Sequence, residues 1–166
     1  VEPSCEKHYS WSPYVYCKNN PVLRIDPDGK DDYVINYHGQ LQLMRRTNRI
    51  VDVLYASGTS GTVSKINPEW KNIKVFDKSI LPALETNLGN NTRGADYFAE
   101  TSSAYDAANI ATFGIENTGV EWKYTAGYRD GEKKYIIENS SRDYSVSTLE
   151  GINNNPFEGF QPIADI

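Results

Sequence analysis

From residue 32 onward, apolar and polar positions alternate with a period of two. Tyr33, Ile35 and Tyr37 interleave with Val34 and Asn36, and Leu41 and Leu43 then interleave with Gln40 and Gln42. A period of two sends successive side chains to opposite faces of a strand. The His38-Gly39 step between the two runs predicts a two-residue hairpin turn. A further turn at Thr47-Asn48-Arg49 leads into Ile50, Val51, Val53 and Leu54, which predicts a three-stranded meander. Residues 56–63, all Gly, Ser, Thr, Ala and Val, read as a flexible linker. Ile73, Val75 and Phe76 predict a short strand. Residues 80–88 predict a helix with Pro82 in its first turn, ended by Gly89-Asn90-Asn91.

The pattern changes again at residues 102–113. Ser103 and Asp106 stand in capping-box spacing, Ala107, Ala108 and Ala111 favour helix, and Gly114 suits the position just past a helix end. Tyr105, Ala108, Thr112 and Ile115 share one face of this helix. Val120, Trp122, Tyr124, Ala126 and Tyr128 then alternate with Glu121, Lys123 and Thr125. Asp130-Gly131 predicts a tight turn, with residues 135–138 returning as the partner strand. Residues 139–155 are polar, with one helical turn expected near 147–151. Residues 161–166 read as a last strand, and the chain stops inside it, so a truncated C-terminal end is expected. The expected class is α+β: an irregular leader and β-meander, then a helix packed on a mixed or antiparallel sheet. The expected divisions are 1–30, 31–90 and 91–166.

Composition narrows the partners. The chain has 166 residues, 23% of them charged, and a formal net charge of −5. That length suits one ordinary domain that buries a core without staples. The acidic balance argues against nucleic acid, which needs a basic patch. Arg45, Arg46 and Arg49 are the nearest approach, and read as an exposed hairpin end; a local phosphate or headgroup contact is the lesser reading. Cys5 and Cys17 either pair or stay free, and two cysteines do not make a disulfide scaffold. No apolar run has the length of a membrane span. Val1 opens with neither a basic start nor an apolar stretch, so any export signal is expected upstream.

The candidate chemistry is sparse. His8, His38, Cys5 and Cys17 are the nitrogen and sulfur ligands available, and they do not assemble the three-ligand set of a catalytic zinc site. His38 reads as a turn residue, since His tolerates left-handed backbone geometry. No Ser or Cys stands in a nucleophile context beside a His. Glu116, Glu121, Asp130, Glu132 and Glu138 surround the helix and the hairpin after it. Most read as solvated charges. Glu121 is singled out because it opens a strand directly after a capped helix.

Two resemblances give these residues a context. Residues 9–29, YSWSPYVYCKNNPVLRIDPDG, carry aromatics, three prolines and an Asp-Pro-Asp-Gly turn with no helical or strand period. They resemble the end of the Rhs/YD-repeat core, which closes with NNPV…DPDG. That resemblance implies an upstream carrier shell, a variable payload after about Lys30, and a protein that is secreted or at the cell surface. It also implies processing beside Asp26-Pro27-Asp28-Gly29, where some relatives carry Leu after the Gly and this chain has Lys30. Without processing, the same four residues read as a type I turn.

The order of helix, strand opening with Glu121, partner strand and late strand PIADI resembles the JAB/MPN zinc metallopeptidases, more narrowly the JAB-like toxin payloads. In that family the Glu polarises a zinc-bound water, and zinc is held by a His-x-His-Pro motif and a downstream Asp. The resemblance puts Glu121 in the catalytic position and implies zinc in the complete domain. None is expected in this chain, which lacks those ligands, and no hydrolysis is expected of it. A protein substrate and an immunity protein are the implied partners, and the last strand, as a sheet edge, implies pairing with a second copy. The other reading of the same residues is a non-catalytic secreted binding module with Tyr-rich contact faces.

Overall fold

The computed structural model describes residues 30–91, 94–140 and 156–163. Cys5, His8, Cys17, the Asp26-Pro27-Asp28-Gly29 element, the turn expected near 147–151 and residues 164–166 lie outside them. The described chain is an α+β fold with two sheets. The first sheet holds β1 (Lys30–Ile35), β2 (Leu41–Thr47), β3 (Asp52–Ala56) and β4 (Asn72–Val75). Helix α1 (Ile80–Thr86) leads to the second sheet. That sheet contains β5 (Leu88–Asn91), β6 (Gly94–Thr101), β7 (Trp122–Arg129), β8 (Glu132–Ser140) and β9 (Gln161–Pro162), with α2 (Ala104–Asn117) between β6 and β7. Among the described residues, no helix is long and apolar enough to cross a membrane.

The first sheet is ordered β2-β1-β3-β4, with β1 and β3 parallel. This corrects the meander. β3 lies beyond β1 instead of beside β2, and the four residues after Thr47 carry the chain past the start of β1. Burial explains why. Asp31 through Asn36 are buried without alternation, as in a central strand, whereas Arg45 and Arg46 on β2 are exposed, as at an edge. The crossing is pinned by Arg49, which bonds Asp32, and by the Asp52 carboxylate, which accepts the Asp31 N–H at 2.8 Å.

The hairpin connection is also longer than two residues. Asn36 Oδ1 accepts from the N–H groups of His38 and Gln40, both at 3.0 Å. An Asx turn therefore closes it, and Gly39, not His38, takes positive φ. The stretch 56–63 is tied down at both ends. Ser57 N–H bonds the Ile35 carbonyl, and the Gln42 side chain bonds both backbone groups of Val63.

The second sheet is antiparallel, in the order β5-β6-β8-β7-β9. Residues expected to end α1 with Gly89-Asn90-Asn91 instead form β5, and Asn87 caps the helix. β6 was not foreseen. Ala99 joins the central core cluster while Phe98 lies on the opposite face, and both are buried, so no polar alternation marks the strand. β7 and β8 meet at Asp130-Gly131, both at positive φ, the tight turn expected there.

Helix α2 corrects two further expectations. Ser103 accepts from Asp106 N–H as an N-cap, but Gly114 lies inside the helix and Thr118 caps it. The buried face is Asp106, Ala107, Ile110, Ala111, Phe113 and Gly114. The Tyr105–Ile115 face points outward, with those two residues 64% and 61% exposed. One buried cluster joins the whole: Ile35 and Leu54 of the first sheet, Leu81 and Leu84 of α1, Ile110 of α2 and Ile137 of β8.

Candidate functional site

Glu121 lies one residue ahead of β7, and its position follows from the end of α2. The Thr118 N–H and hydroxyl both donate to the Gly114 carbonyl, at 3.0 and 2.7 Å. The Trp122 indole N–H donates back to Thr118 Oγ1 at 2.9 Å, and its ring fills the space over Gly114. Trp122 is thus anchored on the helix side of the sheet, and its neighbour Glu121 is left exposed. The Glu121 carbonyl accepts the Ser140 N–H at 3.1 Å, which holds this corner to the end of β8.

The β1–β2 loop closes on the same corner. Gly119 N–H donates to the Tyr37 carbonyl at 2.7 Å, and Asn139 Nδ2 donates to the Gly39 carbonyl at 2.8 Å. The approach is too close for side chains at two glycines. A Cβ on Gly39 would lie 2.6 Å from Val120 Cγ2, and one on Gly119 would lie 2.3 Å from the Tyr37 ring. The loop carrying half-exposed His38 therefore abuts the loop carrying Glu121. The sequence reading treated those residues separately. Asn139 was missed as their tie, because it was read as the start of the polar stretch after the strand, whereas β8 continues to Ser140. The tight glycines Gly39 and Gly119 were the signal available. Asn139 Oδ1 is buried with no hydrogen-bond partner.

Of the other acidic candidates, Glu116, Asp130 and Glu132 do not converge on Glu121. Asp130 and Glu132 sit at the opposite end of the β7–β8 hairpin, an eight-residue strand away, or roughly 27 Å at strand rise. Glu138 is buried on the face away from α2, with Lys123 Nζ 3.5 Å from its carboxylate. Glu116 is exposed on α2. In the exposed Glu132–Lys134 pair, the hydrogen bond lowers the carboxyl pKa and raises the ammonium pKa.

The three arginines are engaged internally. Buried Asp32 accepts from Arg45, with Nε at 2.9 Å, and from Arg49. Arg46 faces Asp31 at 3.6 Å. These pairs favour the structural reading of the arginines over an anion contact. Below them Tyr33 is buried, and burial raises its hydroxyl pKa, with Asp31, Glu85 and Asp52 adding to the rise. A cavity of about 240 Å³ opens on the other side of the β1–β2 loop, lined in part by Asn36, Gln40, Gln42, Glu85 and Tyr97. Its amides mostly answer one another: Asn36 Nδ2 donates to Gln40 Oε1 at 3.1 Å, and Gln42 serves Val63.

Zinc does not fit the residues seen. Among the described residues no three His, Cys, Asp or Glu side chains converge as a metal site. What the Glu121 corner offers is an exposed carboxylate on a rigid base, bordered by the His38 loop. No family model, curated protein or solved structure matches the chain.

Proposed function

We propose that residues from about Lys30 onward belong to the payload of a secreted Rhs-type polymorphic toxin, and that they begin a JAB-like peptidase domain with Glu121 as its proton-handling carboxylate. The observation that carries the reading is the setting of Glu121: solvent-accessible, shortly after a capped helix, one residue ahead of the strand on which β9 pairs. β1 begins at Lys30, immediately after the Asp-Pro-Asp-Gly element, which supports the boundary. A carboxylate so placed can take a proton from water and return it to a leaving amine. The sequence lacks the His-x-His-Pro ligands of that family, so these 166 residues alone are expected to hydrolyse nothing.

Two measurements test this. The gene downstream of the Ile166 codon should encode His-x-His-Pro; any other sequence there removes the peptidase reading. Calorimetric titration of the present chain with zinc should show no tight site, and one tight site would contradict the inactive state.

A second reading is a non-catalytic secreted binding module of an Rhs/YD-type protein. It is favoured by the outward face of α2, where Tyr105 and Ile115 are exposed and Phe76 meets Tyr105 edge to face at 5.9 Å. A stop codon directly after the Ile166 codon, in place of His-x-His-Pro, would favour it over the peptidase.

A further inference from the structure

β9 is a short strand held by a long arginine. Only Gln161 and Pro162 form its ladder on β7, opposite Tyr128 and Gly127, and Ile163 N–H adds one bond to the Ala126 carbonyl at 2.9 Å. Two paired residues and one further bond, with Pro162 unable to donate, do not pin a register strongly, because a slip of two residues restores the same facing of side chains. Arg129 supplies the missing constraint. Its Nη1 and Nη2 donate to the carbonyls of Glu158 and Pro156, and its Nε donates to Glu100 Oε2 at 2.8 Å. Its guanidinium lies over the Phe160 ring, 5.9 Å from the centroid. That ring in turn occupies the space above Gly127, where a Cβ would lie 2.4 Å from Cζ. A planar fork of donors suits this task in a way that a single ammonium does not.

The register has a consequence at the proposed site. In an antiparallel pair, each step forward on one strand matches a step back on the other. Ile163 stands opposite Ala126, and five steps back from Ala126 is Glu121. Among the described residues, β8 covers one edge of β7, and no strand lies along its other edge from Trp122 to Thr125. We propose that Arg129 is a positioning residue: it fixes the register of β9 on β7, so that the strand from Gln161 to Ile163 runs along this edge in the direction of Glu121. The functional meaning of that direction rests on the peptidase reading; the latch itself does not. A two-residue slip would displace Ile163 by about 7 Å relative to Glu121.

Cross-linking tests the latch in the full chain, with Cys5→Ser and Cys17→Ser as background. The pair Tyr128→Cys with Gln161→Cys reports the observed register, and Tyr128→Cys with Ile163→Cys reports the slipped one. With Arg129 present, mild oxidation should close the first pair and leave the second open. Arg129→Ala should reduce the first several-fold, raise the second, and speed amide exchange at Ile163 at least tenfold, with Ile136 and Ile137 unchanged. Should Arg129→Ala fail to fold, Arg129→Lys carries the test: it keeps the charge beside Glu100 but cannot serve both carbonyls, and should shift the same ratio. An unchanged ratio in the folded variants overturns the proposal. Neither measurement needs zinc or activity, so failure of the latch and failure of the peptidase reading are separate outcomes.

Discussion

Glu85 of α1 accepts the backbone N–H of Leu43 on β2 at 3.0 Å. The bond falls where the β1–β2 register shifts between Asp32 and Tyr33, a bulge that pairs these residues with Arg45 and Leu43 and skips Met44. A bulge leaves ladder groups unanswered, and here a helix side chain answers one. The first sheet is thereby fastened to α1 by a specific bond as well as by apolar packing. Glu85→Ala should destabilise by about 1 kcal/mol, since a part-buried N–H loses its acceptor. Glu85→Gln, which keeps an acceptor, should cost less. Urea denaturation checks this through the midpoint at constant slope; equal midpoints for Glu85→Ala and wild type would show that water replaces the carboxylate.

Asp106 fastens the second helix. It is fully buried, and its two carboxylate oxygens accept from Phe76 N–H at 3.2 Å and Asp77 N–H at 2.9 Å. The capping box is thus half used: Ser103 caps Asp106, but Asp106 reaches across to the end of β4 instead of back to Ser103. Asp106→Ala should cost about 3 kcal/mol, as two bonds to a charged acceptor are lost. Ser103→Ala should cost about 1 kcal/mol. Thermal melts of both variants order them, and a larger loss for Ser103→Ala would reverse the assignment.

Gly114→Ala sets helix propensity against packing. Alanine gains about 1 kcal/mol over glycine in a helix interior. Its Cβ would lie 2.3 Å from Cε2 of Trp122, whose indole is tethered to Thr118. Overpacking of this kind costs about 1–3 kcal/mol, so the net effect should be destabilising. Trp122→Leu should be destabilising alone, yet combining it with Gly114→Ala should cost less than the sum. Strict additivity in that double-mutant cycle would mean that the two sites do not touch.

Tyr33 makes an alkaline limb. Burial first, then Asp31, Glu85 and Asp52, raise its pKa in the folded chain. The stability it contributes is whole below its ordinary value near pH 10 and is lost as pH rises further, because the unfolded chain ionises first. Above about pH 10, wild-type stability should therefore fall more steeply than that of Tyr33→Phe. Denaturant midpoints between pH 9 and about 11.5 measure the slopes; parallel slopes would remove Tyr33 as the cause.

Much of the fold was legible from local pattern. The β1–β2 hairpin, α1, the Ser103 cap, β7, the Asp130-Gly131 turn and β8 each depend on neighbours in sequence, and each appeared near its expected place. Glu121 was expected to open a strand and lies one residue ahead of β7. β6 was not legible, since both its faces are packed and polarity carries no period there.

The amino-acid sequence alone determined where the chain turns, caps and alternates, because those choices are settled within a few residues by dihedral preference and side-chain reach. Only the tertiary structure decided which strands become neighbours. β1 took the centre of its sheet because both its faces are buried, which sent β3 past it instead of beside β2. Gly114 was kept inside α2 because Trp122 needs its space, not because a helix ends there. His38 came to border Glu121 through bonds from Gly119 and Asn139, the latter spanning 100 residues. Such contacts depend on the whole chain's packing and leave no local pattern to read.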